Sequence, residues 1–97
     1  GLLEDNTARL IQEFRLSNRN MRVVRSSEAI NAGGLRALST YLSNDSPQPN
    51  GGRETNWLVT LPRPEGVMFF VFTAPEREFQ AYENTFQQML YSVRLKQ

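Results

Sequence analysis

Two carboxylates flank an arginine in Pro75-Glu-Arg-Glu78, directly after the apolar run Val67 to Phe72. Paired carboxylates perform general acid–base chemistry when they converge in a concave site that separates their pKa values. Glu76 and Glu78 stand two apart at a predicted helix start, so their side chains diverge. The same residues suit a first helical turn, where each carboxylate complements the helix dipole by about 0.3–1 kcal/mol. Pro75 then takes the first helical position, where its missing N–H costs nothing. The pair therefore reads as a helix start and not as an acid–base couple.

The other constellations reduce in the same way. Asn44, Asp45, Ser46 and Asn50 sit close enough to suggest a calcium loop. They lack the alternating acidic ligands and terminal glutamate that hard cations require. Asn50-Gly51-Gly52 has neither a lysine nor a following helix, so it is no phosphate cradle. Tyr41, Trp57, Phe69, Phe70 and Phe72 could stack on nucleic-acid bases. Stacking platforms come with a basic groove, however, and Val67 to Thr73 carries no charge. These aromatics are expected in the core.

Composition narrows the chemistry further. The chain has no cysteine and no histidine. Thiolate catalysis, serine–histidine triads and cysteine- or histidine-ligated zinc cannot be built from it alone. Ten arginines and one lysine against ten acidic residues give a formal charge of +1, with no general pull toward nucleic acid or anionic lipid. The longest apolar run is far short of the roughly 20 residues a membrane-crossing helix needs. Ninety-seven residues fit one domain with a single modest core. The chain begins at glycine without a visible signal peptide, which suggests a domain excised from a longer protein.

The predicted elements follow from periodicity. Leu3, Leu10, Ile11 and Phe14 fall on one face of a helix from about Thr7 to Leu16, with cap oxygens at Asp5, Asn6 and Thr7. Met21 to Arg25 suits a short strand, Ser26 to Ala32 is indistinct, and Gly33-Gly34 marks a turn. Leu35 to Leu42 reads as a second strand. Ser43 to Gly52 is almost entirely turn formers and is predicted as a long surface loop. Thr55, Trp57, Val59 and Leu61 alternate as a strand, and Pro62 to Gly66 is a tight turn. Val67 to Thr73 is apolar throughout, as expected of a central strand covered on both faces. Phe79, Tyr82, Phe86, Met89, Leu90 and Val93 then form the stripe of an amphipathic final helix. The order helix, four strands, helix predicts an α+β fold: an antiparallel sheet with helices on one or both faces.

Several short motifs form a recognisable series: Ala32-Gly-Gly-Leu-Arg-Ala37, Asn44-Asp-Ser-Pro47, Glu54-Thr-Asn-Trp-Leu-Val-Thr60 and Pro64 to Pro75. Phe79-x-x-Tyr-x-x-x-Phe86 and Met89-Leu-Tyr-Ser-Val-Arg94 complete it. The series resembles the accessory domain C-terminal to the catalytic domain in some bacterial zinc metallopeptidases, notably acidobacterial ones. Their family includes HtpX and the CAAX prenyl-protein peptidases. The resemblance covers most of Asn20 to Arg94, and the arrangement is also similar to PsbP-like domains, whose last helix packs on an antiparallel sheet.

That family's zinc is held by a His-Glu-x-x-His helix, which this chain lacks. The resemblance therefore implies a single non-catalytic module, residues 1–97, from the C-terminal part of a peptidase polypeptide. It implies no cofactor in the module itself, zinc only in the parent catalytic domain, and a cell-envelope location. The expected partner is protein: the catalytic domain, a substrate or an assembly partner. The candidate contact surface, chosen for turn chemistry and exposure, comprises Asn44, Asp45, Gln48, Asn50, Arg53, Arg63 and Glu65. A second reading is a small-ligand carrier with a pocket between sheet and helix lined by Tyr41, Trp57 and Tyr82.

Overall fold

The computed structural model describes residues 1–94. Its elements are α1 (Leu2–Ser17), β1 (Arg22–Ala32), β2 (Leu35–Asp45), β3 (Arg53–Arg63), β4 (Gly66–Pro75), a 3₁₀ turn (Glu76–Glu78) and α2 (Phe79–Tyr91). The strands form one antiparallel sheet in the order β1-β2-β3-β4. This is the predicted α+β layout, with the two helices on opposite faces.

Side-chain alternation assigns the faces. Trp57, Val59 and Leu61 of β3 point toward α2, where they form the larger core with Ala37, Phe72, Ala74, Phe79 and Leu90. Leu42 and Leu58 point the other way and meet Met21 and the α1 residues Leu10, Ile11 and Phe14. Because both faces of β2 and β3 are covered, both strands read as nearly continuous buried segments. The α2 side is largely aromatic. Tyr41 stacks on Trp57 at 6.1 Å, Trp57 meets Phe72 at 5.3 Å, and Phe72 stacks on Phe86 at 5.2 Å.

The termini of the elements depart from the expected ones. Helix α1 begins five residues earlier than predicted, at Leu2, with Gly1 as a cap that offers no side-chain oxygen. Glu4 and Asp5 occupy the first turn. The backbone N–H groups there, then Arg36 and the terminal amine, hold the Glu4 carboxyl down to about 2. Thr7, expected as a cap, lies inside the helix, fully buried, its hydroxyl 2.7 Å from that of Thr60 on β3. That pairing pins α1 to the sheet and satisfies two hydroxyls that would otherwise be costly to bury. Gly33 and Gly34, at φ 61° and 79°, close the β1–β2 hairpin in the left-handed region such a two-residue turn demands.

One outer strand reverses an expectation. Val67 to Thr73 was expected to be central, yet β4 is an edge strand. Its α1-facing residues Phe69 and Val71 stay 44% and 41% exposed. A continuous apolar run signals cover over both faces of a strand, which α1 and α2 supply in part, and carries no information on whether another strand lies beside it. Here the chain turns into α2 instead.

Candidate functional site

The turn after α1, the end of β2 and the start of β3 meet at one end of the sheet. Strands β2 and β3 extend further than predicted, so the connecting loop shrinks to 46–52. Its base is fastened by Arg53. The guanidinium Nη1 donates to Asp45 Oδ1 at 2.9 Å and to the Asn20 carbonyl at 3.0 Å, and Nε donates to Ser43 Oγ at 3.2 Å. Asn20 Nδ2 donates to the other Asp45 oxygen at 2.7 Å, and the Asp45 N–H donates to the Arg19 carbonyl at 2.8 Å. Asn20 itself sits at φ 53°, a conformation that asparagine tolerates better than most residues.

Within the loop, the Ser46 N–H donates to the Gly52 carbonyl at 2.8 Å, and the Gly51 N–H donates to that of Gln48 at 3.0 Å. The Ser46 hydroxyl accepts from the Gln48 N–H. Gly51 has no room for a side chain, since a Cβ there would lie 2.5 Å from Ser46 Oγ. Asn50 takes the left-handed backbone at φ 60°. The loop is therefore braced internally while Gln48 and Asn50 face solvent.

A second polar chain crosses the α1 face beneath this loop. Thr73 Oγ1 donates to Asn56 Oδ1 at 2.7 Å, and Asn56 Nδ2 donates to Asn44 Oδ1 at 2.6 Å. Asn44 Nδ2 donates to Glu54 Oε1 at 3.0 Å and to the Asp45 carbonyl at 2.9 Å. This amide relay joins β4, β3 and β2: Thr73 lies directly opposite Asn56, while Asn44 lies diagonally from it, opposite Glu54. Slipping any strand by one residue would turn its members to the opposite face and orphan buried groups.

The seven predicted contact residues do not form one surface. Asn44 is only 1% exposed and belongs to the amide relay, so it cannot meet a partner directly. Asp45 and Arg53 form the clamp, and Gln48 and Asn50 form the exposed loop. Arg63 and Glu65 lie at the β3–β4 turn, at the other end of the eleven-residue β3 and so roughly 30 Å away at strand rise. Turn chemistry marks loops in sequence but not which end of a strand each occupies. Ser and Asn favour turns, so composition alone places Ser43 and Asn44 in the loop. Their burial in β2 is set by partners on β3 that local composition does not reveal.

The carboxylates at the α2 entrance also find their place. Glu76 accepts a hydrogen bond from Ser43 Oγ at 3.3 Å, bridging the corner to β2. It makes no side-chain cap, and α2 proper begins only at Phe79. Pro75 is the last residue of β4 instead of the first of a helix. Among the described residues, no group of three or more Asp, Glu, His or Cys could hold a metal ion. Among the same residues, no helix is long and apolar enough to cross a membrane.

Tyr41 and Trp57 stack on each other, while Tyr82 stands against Phe86 of α2. Trp57 Nε1 donates to Ser39 Oγ at 2.8 Å, and the Tyr41 hydroxyl donates to Glu83 Oε2 at 3.2 Å. Desolvation, then Glu83, pushes the Tyr41 hydroxyl up to about 12. Tyr82 stacks on Phe86 and is 45% exposed. A cavity of about 230 Å³ does open on the opposite face, between the end of α1 and Val71, Thr73, Asn56 and Glu54. Periodicity could not have revealed it, because it depends on where α1 stops along the sheet.

The clamp gives a pH dependence. Hydrogen bonds from Arg53, then from Asn20, hold the Asp45 carboxyl below its ordinary range. A depressed folded-state pKa contributes stability that is complete above the unfolded value, about 4, and is lost as pH falls through the folded value. Urea midpoints are therefore expected to fall more steeply below about pH 4 for the wild type than for Asp45→Asn. Parallel curves would remove Asp45 from the account.

No family model matches the chain, and no curated protein matches it. Among solved structures, the chain is similar to the crystal structure of PA94, a protein of unknown function from Pseudomonas aeruginosa, provisionally labelled a regulator. The TM-score is 0.78 at 14% identity, and the match covers 97% of this chain and 62% of that one. The likeness establishes a shared fold. The chain thus spans under two thirds of that protein's length.

Proposed function

We propose that this chain is a non-catalytic binding domain that engages a partner protein through loop 46–52. The observation that carries this reading is a solvent-facing loop with a fixed base. Arg53, Asp45 and Asn20 fasten its base, the Ser46–Gly52 bond closes it, and Gln48 and Asn50 are left outward. Binding by a loop already ordered avoids much of the ordering entropy that a mobile segment would lose.

The partner proposed is the catalytic segment of a bacterial zinc metallopeptidase of which this domain is the C-terminal module. That assignment rests on the motif series between Ala32 and Arg94, and the same resemblance suggests a cell-envelope location. In this reading zinc belongs to the catalytic segment.

The full reading frame is the first test, since absence of a His-Glu-x-x-His segment would remove the peptidase partner. With the segment present, titrating it into ¹⁵N-labelled domain should shift amides of 46–52, and Asn50→Ala with Gln48→Ala should abolish those shifts. Shifts confined to the β3–β4 turn would overturn the loop assignment. The isolated domain, incubated with zinc and casein, should release no fragments.

A further inference from the structure

The two edges of the sheet are treated in opposite ways. Strand β1 carries Arg22, Arg25 and Glu28, and its register with β2 is broken twice, between Val23 and Arg25 and between Arg25 and Glu28. Charges and bulges are the devices by which proteins prevent a foreign strand from adding to an edge. Strand β4 has neither. Its ten residues contain no charge, and its register with β3 is unbroken from Glu54↔Pro75 to Arg63↔Gly66. Among the described residues β4 pairs with β3 alone, and no other backbone hydrogen bond between elements reaches it.

From this asymmetry we infer that the β4 edge is a docking site for an extended, uncharged segment of a partner polypeptide, added as a fifth strand. The unpaired N–H and C=O groups of the edge supply the ladder, which gives affinity without reading sequence. Side chains of an added strand alternate between the faces, and the structure offers each set a place. On the α1 face they meet the half-exposed Phe69 and Val71 and the cavity that Val71 and Thr73 line. On the other side a second cavity, about 270 Å³, lies between Thr73, Ala74 and Pro75 of β4 and Tyr82 and Phe86 of α2. Thr73 lines both, so the C-terminal half of β4 is flanked by receptive space on either face.

Charge complementarity specifies the occupant. A charged side chain laid along Gly66 to Pro75 would lose water and find no ionic partner on the strand, which is costly. Charges flank the strand at its ends, at Arg63 and Glu65 before it and Glu76, Arg77 and Glu78 after it. On the α1 face Glu54 lines the first cavity while Arg9 and Glu13 stand beside Val67, so both signs occur and neither is favoured. The fitting segment is therefore neutral and rich in β-branched or aromatic residues over about eight positions, the span a strand of this length pairs. Such segments are buried in folded proteins, so the fitting partner presents one in an unfolded or incompletely folded region. The inference does not rest on loop 46–52, although Pro75 pairs with Glu54 next to the base of that loop.

The test uses an acetylated, amidated octapeptide alternating threonine and valine, and a second copy N-methylated at alternate amides so that it cannot form the ladder. Hydrogen exchange of the labelled chain should show new protection at alternate amides of 66–75 with the first peptide and none with the second. Val71→Glu, at an exposed position, should weaken binding by at least about tenfold, equivalent to 1.4 kcal/mol. Val24→Glu on the guarded edge and Asn50→Ala in the loop should leave it unchanged. Equal binding of the methylated peptide, or protection outside β4, would overturn the inference. So would a peptide-free chain that sediments as a dimer with β4 already protected, because the occupant would then be a second copy.

Discussion

Trp57→Ala is expected to remove about 3–5 kcal/mol of unfolding free energy, the usual cost of emptying a large aromatic site. The indole is 4% exposed at the centre of β3, with Tyr41 stacked on one side and Phe72 on the other. Its Nε1–H is also spent on Ser39, whose hydroxyl is buried and would lose that donor. A domain of this size has roughly 5–15 kcal/mol in total, so the variant should be close to unfolding at body temperature. The denaturant midpoint should fall without a change in slope, as for any loss of stability that leaves the two-state transition intact. Trp57→Phe should restore most of the packing and leave Ser39 short of one bond. An alanine variant within about 1 kcal/mol of the wild type would show that neither the buried area nor the ring stacking at Trp57 contributes as argued.

Asn56→Ala should cost about 2–4 kcal/mol, and the reason differs in kind: two hydrogen bonds are lost and one buried acceptor is orphaned. Asn56 accepts from Thr73 and donates to Asn44, so its removal cuts the relay at its middle. Thr73 is exposed and can turn to water, whereas Asn44 Oδ1 is enclosed and cannot. The double variant Asn44→Ala/Asn56→Ala should therefore be less destabilised than the sum of its singles, with a coupling of about 0.5–3 kcal/mol. Additive losses would show that the two amides act independently. The double variant should also report on the β4 edge, because the relay holds Thr73, which lines the cavity on each face.

Much of this fold was legible from pattern. The stripe from Phe79 to Leu90 and the alternation of Thr55 to Leu61 specify their elements through side-chain periodicity, and Gly33-Gly34 through backbone freedom. Val93, expected on the same stripe of α2, lies beyond the end of that helix at Tyr91. The stripe overstated burial at Tyr82 and Met89, which lie at its margin and remain half exposed. What could not be read is whatever depends on partners distant in sequence. Thr7 looks like a cap until Thr60 is brought opposite it. Asn44 looks like a turn residue until Asn56 and Glu54 surround it. Val67 to Thr73 looks central because a run of apolar residues carries no record of whether another strand lies beyond it. The site was legible only as a loop. Its clamp required Asn20 and Arg53, thirty-three positions apart, to be seen together.

The strand order β1-β2-β3-β4 has a consequence for the time course of folding. Every strand pairs with its neighbour in sequence, so each ladder closes over a short connection and little chain entropy is lost before contacts form. The β2–β3 hairpin, closed by the braced loop, is the natural nucleus, since it alone contributes to both cores. The sheet can therefore assemble as the chain emerges during synthesis, with α2 docking last because it is made last. Until that moment Trp57 and Phe72 lack their cover, so the interval before α2 arrives is when this chain is most prone to aggregate. Pulse-labelling hydrogen exchange should find β2 and β3 protected ahead of α2.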